Sequence, residues 1–222
     1  MERLNKQETF FSVDVISLEK VGISSYLLST QRPFDFLPGQ VVKLTTDVSF
    51  APRLYSIASG TNEPHLSFLF DLKPDGMLTP RLAALAPSQR IMVSEPFGEF
   101  QGNDSSATFI ASGTGIAPYI SMIRSGFIEG KLLIHGVRYP ENFFFRDELE
   151  TRLGSNYVKC CSGNAEADIF HGRVTDYLQK TTDLPLNRKY YLCGNPEMVV
   201  DTREVLLARG VDYENIFAEI YF

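Results

Sequence analysis

The rhythm of this chain changes near residue 100, and that change limits the folds open to it more than any other feature. Before it, short alternating apolar segments recur, broken by Pro and Gly: Phe11-Val13-Val15, then 25–29, 40–45, 53–58, 66–70 and 90–93. Alternation with period two puts successive side chains on opposite faces, which is strand chemistry. Six such strands in close succession predict an N-terminal antiparallel six-stranded β-barrel. A short helix over 80–86 interrupts them, with Thr79 its expected N-cap and Pro80 in its first turn. Beyond Asp104, strand and helix alternate instead. Strands are predicted over 107–111, 131–135, 157–161, 189–193 and 216–221, with helices over 117–124, 146–152, 173–180 and 196–209. Asn195-Pro196-Glu197 opens the last helix and Gly210 follows it, which suits a helix start and stop. Such alternation predicts a C-terminal α/β doubly wound parallel sheet. The two domains are expected at 1–102 and 103–222, parted at the turn-prone Gly102-Asn103-Asp104.

A chain of 222 residues with 44% hydrophobic content can bury one sizeable core or two modest ones. Its net charge of -6 and lack of a long basic run argue against nucleic acid as a partner. No apolar run is long enough to span a bilayer, and Met1–Gln7 is polar, unlike a secretory signal, so no membrane partner is expected. Cys160, Cys161 and Cys193 neither pair evenly nor show metal-ligand spacing. A reduced, cytoplasmic setting without a metal or iron–sulfur cluster is the expectation. His65, His135 and His171 are scattered and read as structural or surface residues. Nothing in the sequence specifies an oligomeric state.

Four stretches carry chemistry. Arg53-Leu54-Tyr55-Ser56 sets a cation, a flat ring and a small hydroxyl within one strand. Arg53 and Tyr55 share a face, suited to a planar ligand with an anionic tail, and Ser56 takes the other. Pro74-Asp75-Gly76-Met77-Leu78-Thr79 leads into the short helix, where backbone N–H groups favour an anion such as a pyrophosphate. A plain turn with a helix cap would use the same residues. Ser112-Gly113-Thr114-Gly115-Ile116-Ala117-Pro118 follows the first parallel strand, where open α/β sheets bind nucleotides. Pro118 stands where a Gly-x-Gly-x-x-Gly fingerprint has its third glycine, yet Gly113 and Gly115 permit close backbone approach. Cys193-Gly194-Asn195-Pro196-Glu197-Met198 holds the equivalent place after a later strand, with Cys193 either facing a ligand crevice or filling space as a small hydrophobe. The aromatic pair Tyr221-Phe222 is expected to be tied down.

Taken in order, Arg-x-Tyr-Ser, Gly-x-x-Thr, Gly-Thr-Gly-x-x-Pro, Cys-Gly-x-Pro-x-Met and Glu-x-Tyr-aromatic resemble the ferredoxin–NADP+ reductase family, in its bacterial ferredoxin/flavodoxin form. PDGMLTPRLAAL over 74–85 and LIHGVR over 133–138 add to the likeness. The resemblance implies FAD as bound cofactor and NADP(H) as substrate, with hydride exchanged between nicotinamide C4 and flavin N5. It implies that Tyr55 stacks on the flavin, Ser56 bonds near N5 and Arg53 pairs with the pyrophosphate, helped by Gly76 to Thr79. Phe70 and Leu72 would line the adenosine side. Tyr221 would cover the other flavin face, and Phe222 would stack on the adenine or act as a hydrophobic plug. Thr114 and Gly115 would hold the coenzyme pyrophosphate, and Cys193 and Glu219 would border the nicotinamide. Leu54, Met77, Leu78, Gly194 and Met198 complete the cofactor-binding set by their places in these motifs.

The coenzyme choice departs from the family. Its NADP members often carry Ser-Arg where this chain has Ser162-Gly163. Arg138 and Arg173 stand at the other two phosphate positions, unless they are plain surface cations. NADPH is therefore the expected coenzyme, with NADH as the alternative. The implied partner is ferredoxin or flavodoxin. An NAD(P)H:flavin reductase and a dedicated reductase subunit of an oxygenase are the other functions open to such a chain. The 74–79 turn and Phe222 favour bound FAD over the first, and the missing cysteine cluster weighs against the second.

Overall fold

A computed structural model of the chain describes residues 9–47, 49–164 and 167–220. Its first six strands are β1 (Phe10–Lys20), β2 (Ser25–Gln31), β3 (Val41–Thr45), β4 (Arg53–Ser56), β5 (His65–Asp71) and β6 (Arg90–Ser94). They pair antiparallel in the order β4-β3-β6-β1-β2-β5. The two end strands nearly meet: Ala58 N–H donates to Ser67 O at 2.8 Å, and Ser67 N–H to Ser59 Oγ at 3.2 Å. This is the expected six-stranded barrel, and closing it leaves little bare strand edge.

Two details depart from simple alternation. Val13 and Val15 of β1 enter the core, but the register with β2 skips between Val15 and Ser17. Ile16 is the extra residue of that bulge and is half exposed, as a bulged residue must leave the alternating pattern. Strand β5 is buried on both faces. Leu66, Phe68 and Phe70 fill the barrel, whereas Leu69 packs against the second half of the molecule.

The helix expected over 80–86 is a single turn, α1 (Thr79–Leu82). Thr79 is not its N-cap; Leu78 is, with no side-chain bond. The Thr79 hydroxyl instead closes the preceding turn, accepting from Lys73 N–H at 2.9 Å and donating to Lys73 O at 3.2 Å. Past Leu82 the amides of Ala84 and Leu85 reach back three residues rather than four, so the chain continues as tight turns.

The second half runs β7 (Ala107–Ser112), α2 (Ala117–Arg124), β8 (Lys131–Val137), α3 (Arg146–Leu153), β9 (Tyr157–Cys161), β10 (Phe170–His171), α4 (Val174–Lys180), β11 (Lys189–Gly194), α5 (Pro196–Ala208) and β12 (Ile216–Ile220). Its strands are parallel in the order β10-β9-β8-β7-β11-β12. The two-residue β10 was too short to predict. Strand parity sorts the core into two layers. Phe109, Ala111, Leu133, Tyr191 and Cys193 face α2, α3 and the barrel; Ile110, Ile134, Cys160, Tyr190 and Leu192 face α4 and α5. Cys160 and Cys161 indeed fall in separate clusters. The order in which strands are added reverses between β7 and β11, so the switch point of the doubly wound sheet lies there.

Helix α2 explains how the halves are joined. Residues 117–123 are buried on every side, as in a helix sandwiched within a core. One side meets the sheet; the other meets Ala58 and Leu69 of the barrel. Ser121 Oγ donates to Ser59 O at 2.7 Å, Thr61 N–H to Ser125 Oγ at 3.0 Å, and Arg124 Nη1 to Ala58 O at 3.3 Å. The last barrel strand ends at Ser94 and the first parallel strand begins at Ala107. Within that connection we propose the division into domains 1–102 and 103–222.

Candidate active site

A cleft of about 930 Å³ opens between the two halves. Ligand clefts commonly run from roughly 300 to 1,000 Å³, so this one has room for a large ligand. Arg53, Leu54, Tyr55 and Ser56 of β4 and Phe70 of β5 line its barrel wall, continued by Gly76 to Thr79. The opposite wall is the switch point of the sheet: Ser112 to Gly115 from the end of β7, and Cys193, Gly194 and Met198 from the end of β11 and the start of α5. Arg138, Ser162 and Arg173, from the ends of β8 and β9 and the start of α4, line the same cleft. Motifs more than a hundred residues apart thus face each other.

On the barrel wall, Tyr55 is half-buried, with its ring edge-on to Phe70 at 6.3 Å. Phe70 in turn stacks on Tyr26 at 5.6 Å. Aromatic packing of this kind holds the Tyr55 ring as a rigid platform. Burial pushes the Tyr55 hydroxyl up to about 12, against the pull of the Arg53 charge, so it stays protonated at neutral pH. Ser56 is almost fully buried, while Arg53 and Leu54 are exposed.

On the sheet wall, the Gly113–Ile116 turn lies directly against the end of β11. A Cβ on Gly115 would stand 2.4 Å from the Cys193 carbonyl oxygen, so only glycine allows this approach. Ser112 Oγ accepts from Asn195 N–H at 2.9 Å, and Asn195 Oδ1 accepts from Glu197 N–H at 2.9 Å, tying the two strand ends and capping α5. Cys193 is buried, and desolvation together with the neighbouring Glu219 charge holds its thiol well above the ordinary range. It is a small neutral group facing the barrel side.

Cations gather at two poles, Arg53 and Lys73 on the barrel wall, and Arg138 and Arg173 on the far side. The second pole lacks a third cation for a steric reason. A Cβ on Gly163 would lie 2.3 Å from the Arg138 carbonyl oxygen, so an arginine cannot be seated at 163 without moving that backbone.

Two predicted residues do not line the cleft. Leu72 lies half-buried past the end of β5, its N–H donating to Ser24 O at 2.7 Å. Glu219 sits on β12 in register with Cys193, its carboxylate approaching Gly98 rather than the open cavity. Tyr221 and Phe222 lie outside the described residues. Sequence reasoning passed over Lys73, Asn142, Gly172 and Thr175, all of which line the cleft. Lys73 abuts the 74–79 turn and Gly172 precedes Arg173, which was the available signal. His135, expected to be structural or at the surface, is completely buried beneath the Gly113 turn.

Comparison with known proteins agrees with this geometry. The oxidoreductase NAD-binding domain family matches residues 109–204. A flavodoxin/ferredoxin–NADP reductase from Escherichia coli (strain K12) is 32% identical over 192 residues, spanning 76% of this chain and 77% of that protein. The toluate 1,2-dioxygenase electron transfer component from Pseudomonas putida is 29% identical, spanning 96% of this chain and 68% of that protein. Among solved structures, a ferredoxin NADP+ reductase from Neisseria gonorrhoeae with bound FAD and NADP superimposes with a TM-score of 0.86 at 23% identity, covering 96% of this chain and 99% of the other. The fold and cleft define a two-domain oxidoreductase. The chain belongs to the flavodoxin/ferredoxin–NADP reductase family.

Proposed function

We propose that this protein is an FAD-containing reductase that exchanges a hydride with NADP(H) and passes electrons to a ferredoxin or flavodoxin. The observation that carries this reading is the single cleft in which an aromatic, cationic barrel wall faces the switch point of a parallel sheet. The residues fit the two ligands. The Tyr55 platform with Arg53 suits a planar ring bearing a pyrophosphate, and the side-chain-free turn at Gly113, open on its cleft side, leaves space for a second dinucleotide.

When bound, FAD supplies a ring that takes a hydride as an electron pair and releases electrons singly. The chain's own residues position and shield. Tyr55 supports one ring face, Ser56 hydrogen-bonds at the reactive edge, and Arg53 with Gly76, Met77, Leu78 and Thr79 holds the phosphates. Because the Thr79 hydroxyl already donates to Lys73 O, its part there is to shape the turn. Leu54 and Phe70 add apolar contact. Cys193, kept neutral, borders the nicotinamide, with Glu219 in register beside it and outside the cleft, while Thr114, Gly115, Gly194 and Met198 hold the coenzyme. No histidine is assigned proton transfer, since hydride exchange needs orientation rather than acid–base work. Arg138 and Arg173, with Ser162, favour a 2′-phosphate and hence NADPH. Tyr221 and Phe222 would complete the flavin site. Three buried free thiols support a reducing, cytoplasmic setting, and among the described residues no helix is long and apolar enough to cross a membrane.

Likeness to the toluate dioxygenase component supports a second reading, the reductase of an oxygenase system. One comparison decides among these: purified protein assayed with NADPH and NADH against ferredoxin, flavodoxin and free flavin. Stoichiometric FAD in the purified protein, a preference for NADPH and reduction of ferredoxin or flavodoxin are expected. A colourless protein that needs added flavin would overturn the FAD assignment. Turnover only with an oxygenase partner's own iron–sulfur protein would favour the second reading.

A further inference from the structure

We propose that His135 is a positioning residue that locks the Gly113–Thr114 peptide in the orientation a pyrophosphate-binding turn requires; this rests on the coenzyme reading above. His135 lies on β8, paired in register with Ala111 of β7, and is fully buried. Both ring nitrogens have partners. Nε2 lies 3.1 Å from the Gly113 carbonyl oxygen and Nδ1 lies 3.2 Å from the Tyr157 hydroxyl. A carbonyl can only accept, so Nε2 must carry the proton. Nδ1 is then the acceptor, and Tyr157 donates to it. Burial raises the Tyr157 hydroxyl and depresses His135 to about 4, which keeps both groups in the forms this pairing needs. Phe143 closes the ring in, edge-on at 5.4 Å.

The consequence follows from peptide geometry. In a trans peptide the C=O and the following N–H point in opposite directions, and no cis bond occurs among the described residues. With the Gly113 oxygen drawn inward to His135, the Thr114 N–H points outward. Gly113, Thr114 and Gly115 line the cleft, so that N–H is offered to a ligand there. Residues 113–116 form one 3-10 turn, so the same carbonyl also faces the turn's own three-residue hydrogen-bond pattern. Gly113 has φ +52°, and nothing lies within 4 Å of where its Cβ would be, so no side chain packs over this peptide on the cleft side. His135 adds a buried anchor from beneath and holds the productive orientation before the coenzyme arrives.

Long-range ¹H–¹⁵N correlation spectra of the flavin-loaded protein are expected to give His135 as the neutral Nε2–H tautomer at pH 7. An Nδ1–H or doubly protonated ring overturns the proposal. Calorimetry with NADP+ supplies the second test. His135→Phe is expected to weaken NADP+ about tenfold, the scale of one well-placed hydrogen bond, and to raise the NADPH KM far more than it lowers kcat. His135→Gln, which offers an amide N–H and a carbonyl in place of the two nitrogens, is expected to restore most of that affinity. Tyr157→Phe, which leaves the imidazole in place, covers the case in which His135→Phe fails to fold; a loss of about threefold is expected. Wild-type affinity in folded His135→Phe or in Tyr157→Phe overturns the positioning role alone. A wild-type protein that binds neither NADP+ nor NAD+ overturns the coenzyme reading and this proposal with it, whatever the tautomer.

Discussion

The two walls of the cleft present different surfaces to a ligand. The barrel wall is made of side chains: the Tyr55 ring, the Arg53 cation and the buried Ser56 hydroxyl sit on a strand paired along its length with β3. The sheet wall is largely backbone, the Gly113–Gly115 turn, which His135, Ser112 and Asn195 hold in place by hydrogen bonds. A side-chain site tolerates small backbone shifts and fails when the side chain is lost. A backbone site survives loss of most nearby side chains and fails when the backbone is displaced.

That contrast is broken most strongly at Gly115. Gly115→Val places a branched side chain against the Cys193 carbonyl, where a Cβ alone would stand at 2.4 Å. A displaced turn is expected to weaken NADP+ binding on the order of 100-fold, about 3 kcal/mol, with FAD content retained. Calorimetry beside a flavin absorbance spectrum checks both. Loss of flavin together with coenzyme would mean that the walls are not independent.

Acid should act next most strongly, and on the sheet wall. His135 in the folded protein takes up its proton only near pH 4, against 6.5 when unfolded. Between these values the unfolded chain binds more protons, so stability falls as pH drops from about 6.5 toward 4 and is intact above that window. The full difference is on the order of 3 kcal/mol. The denaturant midpoint should fall less between pH 7 and pH 4.5 in His135→Gln, which lacks the titrating ring, than in the wild type. Parallel slopes in the two proteins would place the ring elsewhere.

The smallest effect is expected at the cationic pole. Arg138→Ala or Arg173→Ala should cut the NADPH over NADH preference in kcat/KM about tenfold each, the loss of one charge-assisted contact. Gly163→Arg is the informative control. Because its Cβ would meet the Arg138 carbonyl at 2.3 Å, it is expected to lower stability without raising that preference. An enhanced NADPH preference in a stable Gly163→Arg protein would show that the 162–163 backbone yields easily.

Much of the fold was legible in the residues because the two periodicities differ so plainly. Period-two segments up to 93 became six antiparallel strands, and the later strands and helices fell within a few residues of their expected ends. What escaped was local competition for hydrogen bonds. Thr79 looks like a helix cap by type, yet its hydroxyl is taken by Lys73, and the helix behind it shrinks to one turn. The Ile16 bulge and the two-residue β10 are likewise set by pairing partners rather than by their own residues.

The sequence by itself determined two architectures, the motifs at their strand ends and the family they match, since alternation, turn chemistry and residue type act over short stretches. Only the tertiary structure decided how those motifs meet. Seating α2 between sheet and barrel turned Arg53–Ser56 toward Gly113–Gly115 and Cys193, and put a buried histidine under the glycine turn. The physical reason is range. A backbone carbonyl's direction and a forbidden Cβ at 115 or 163 depend on atoms tens of residues away, which no local pattern encodes.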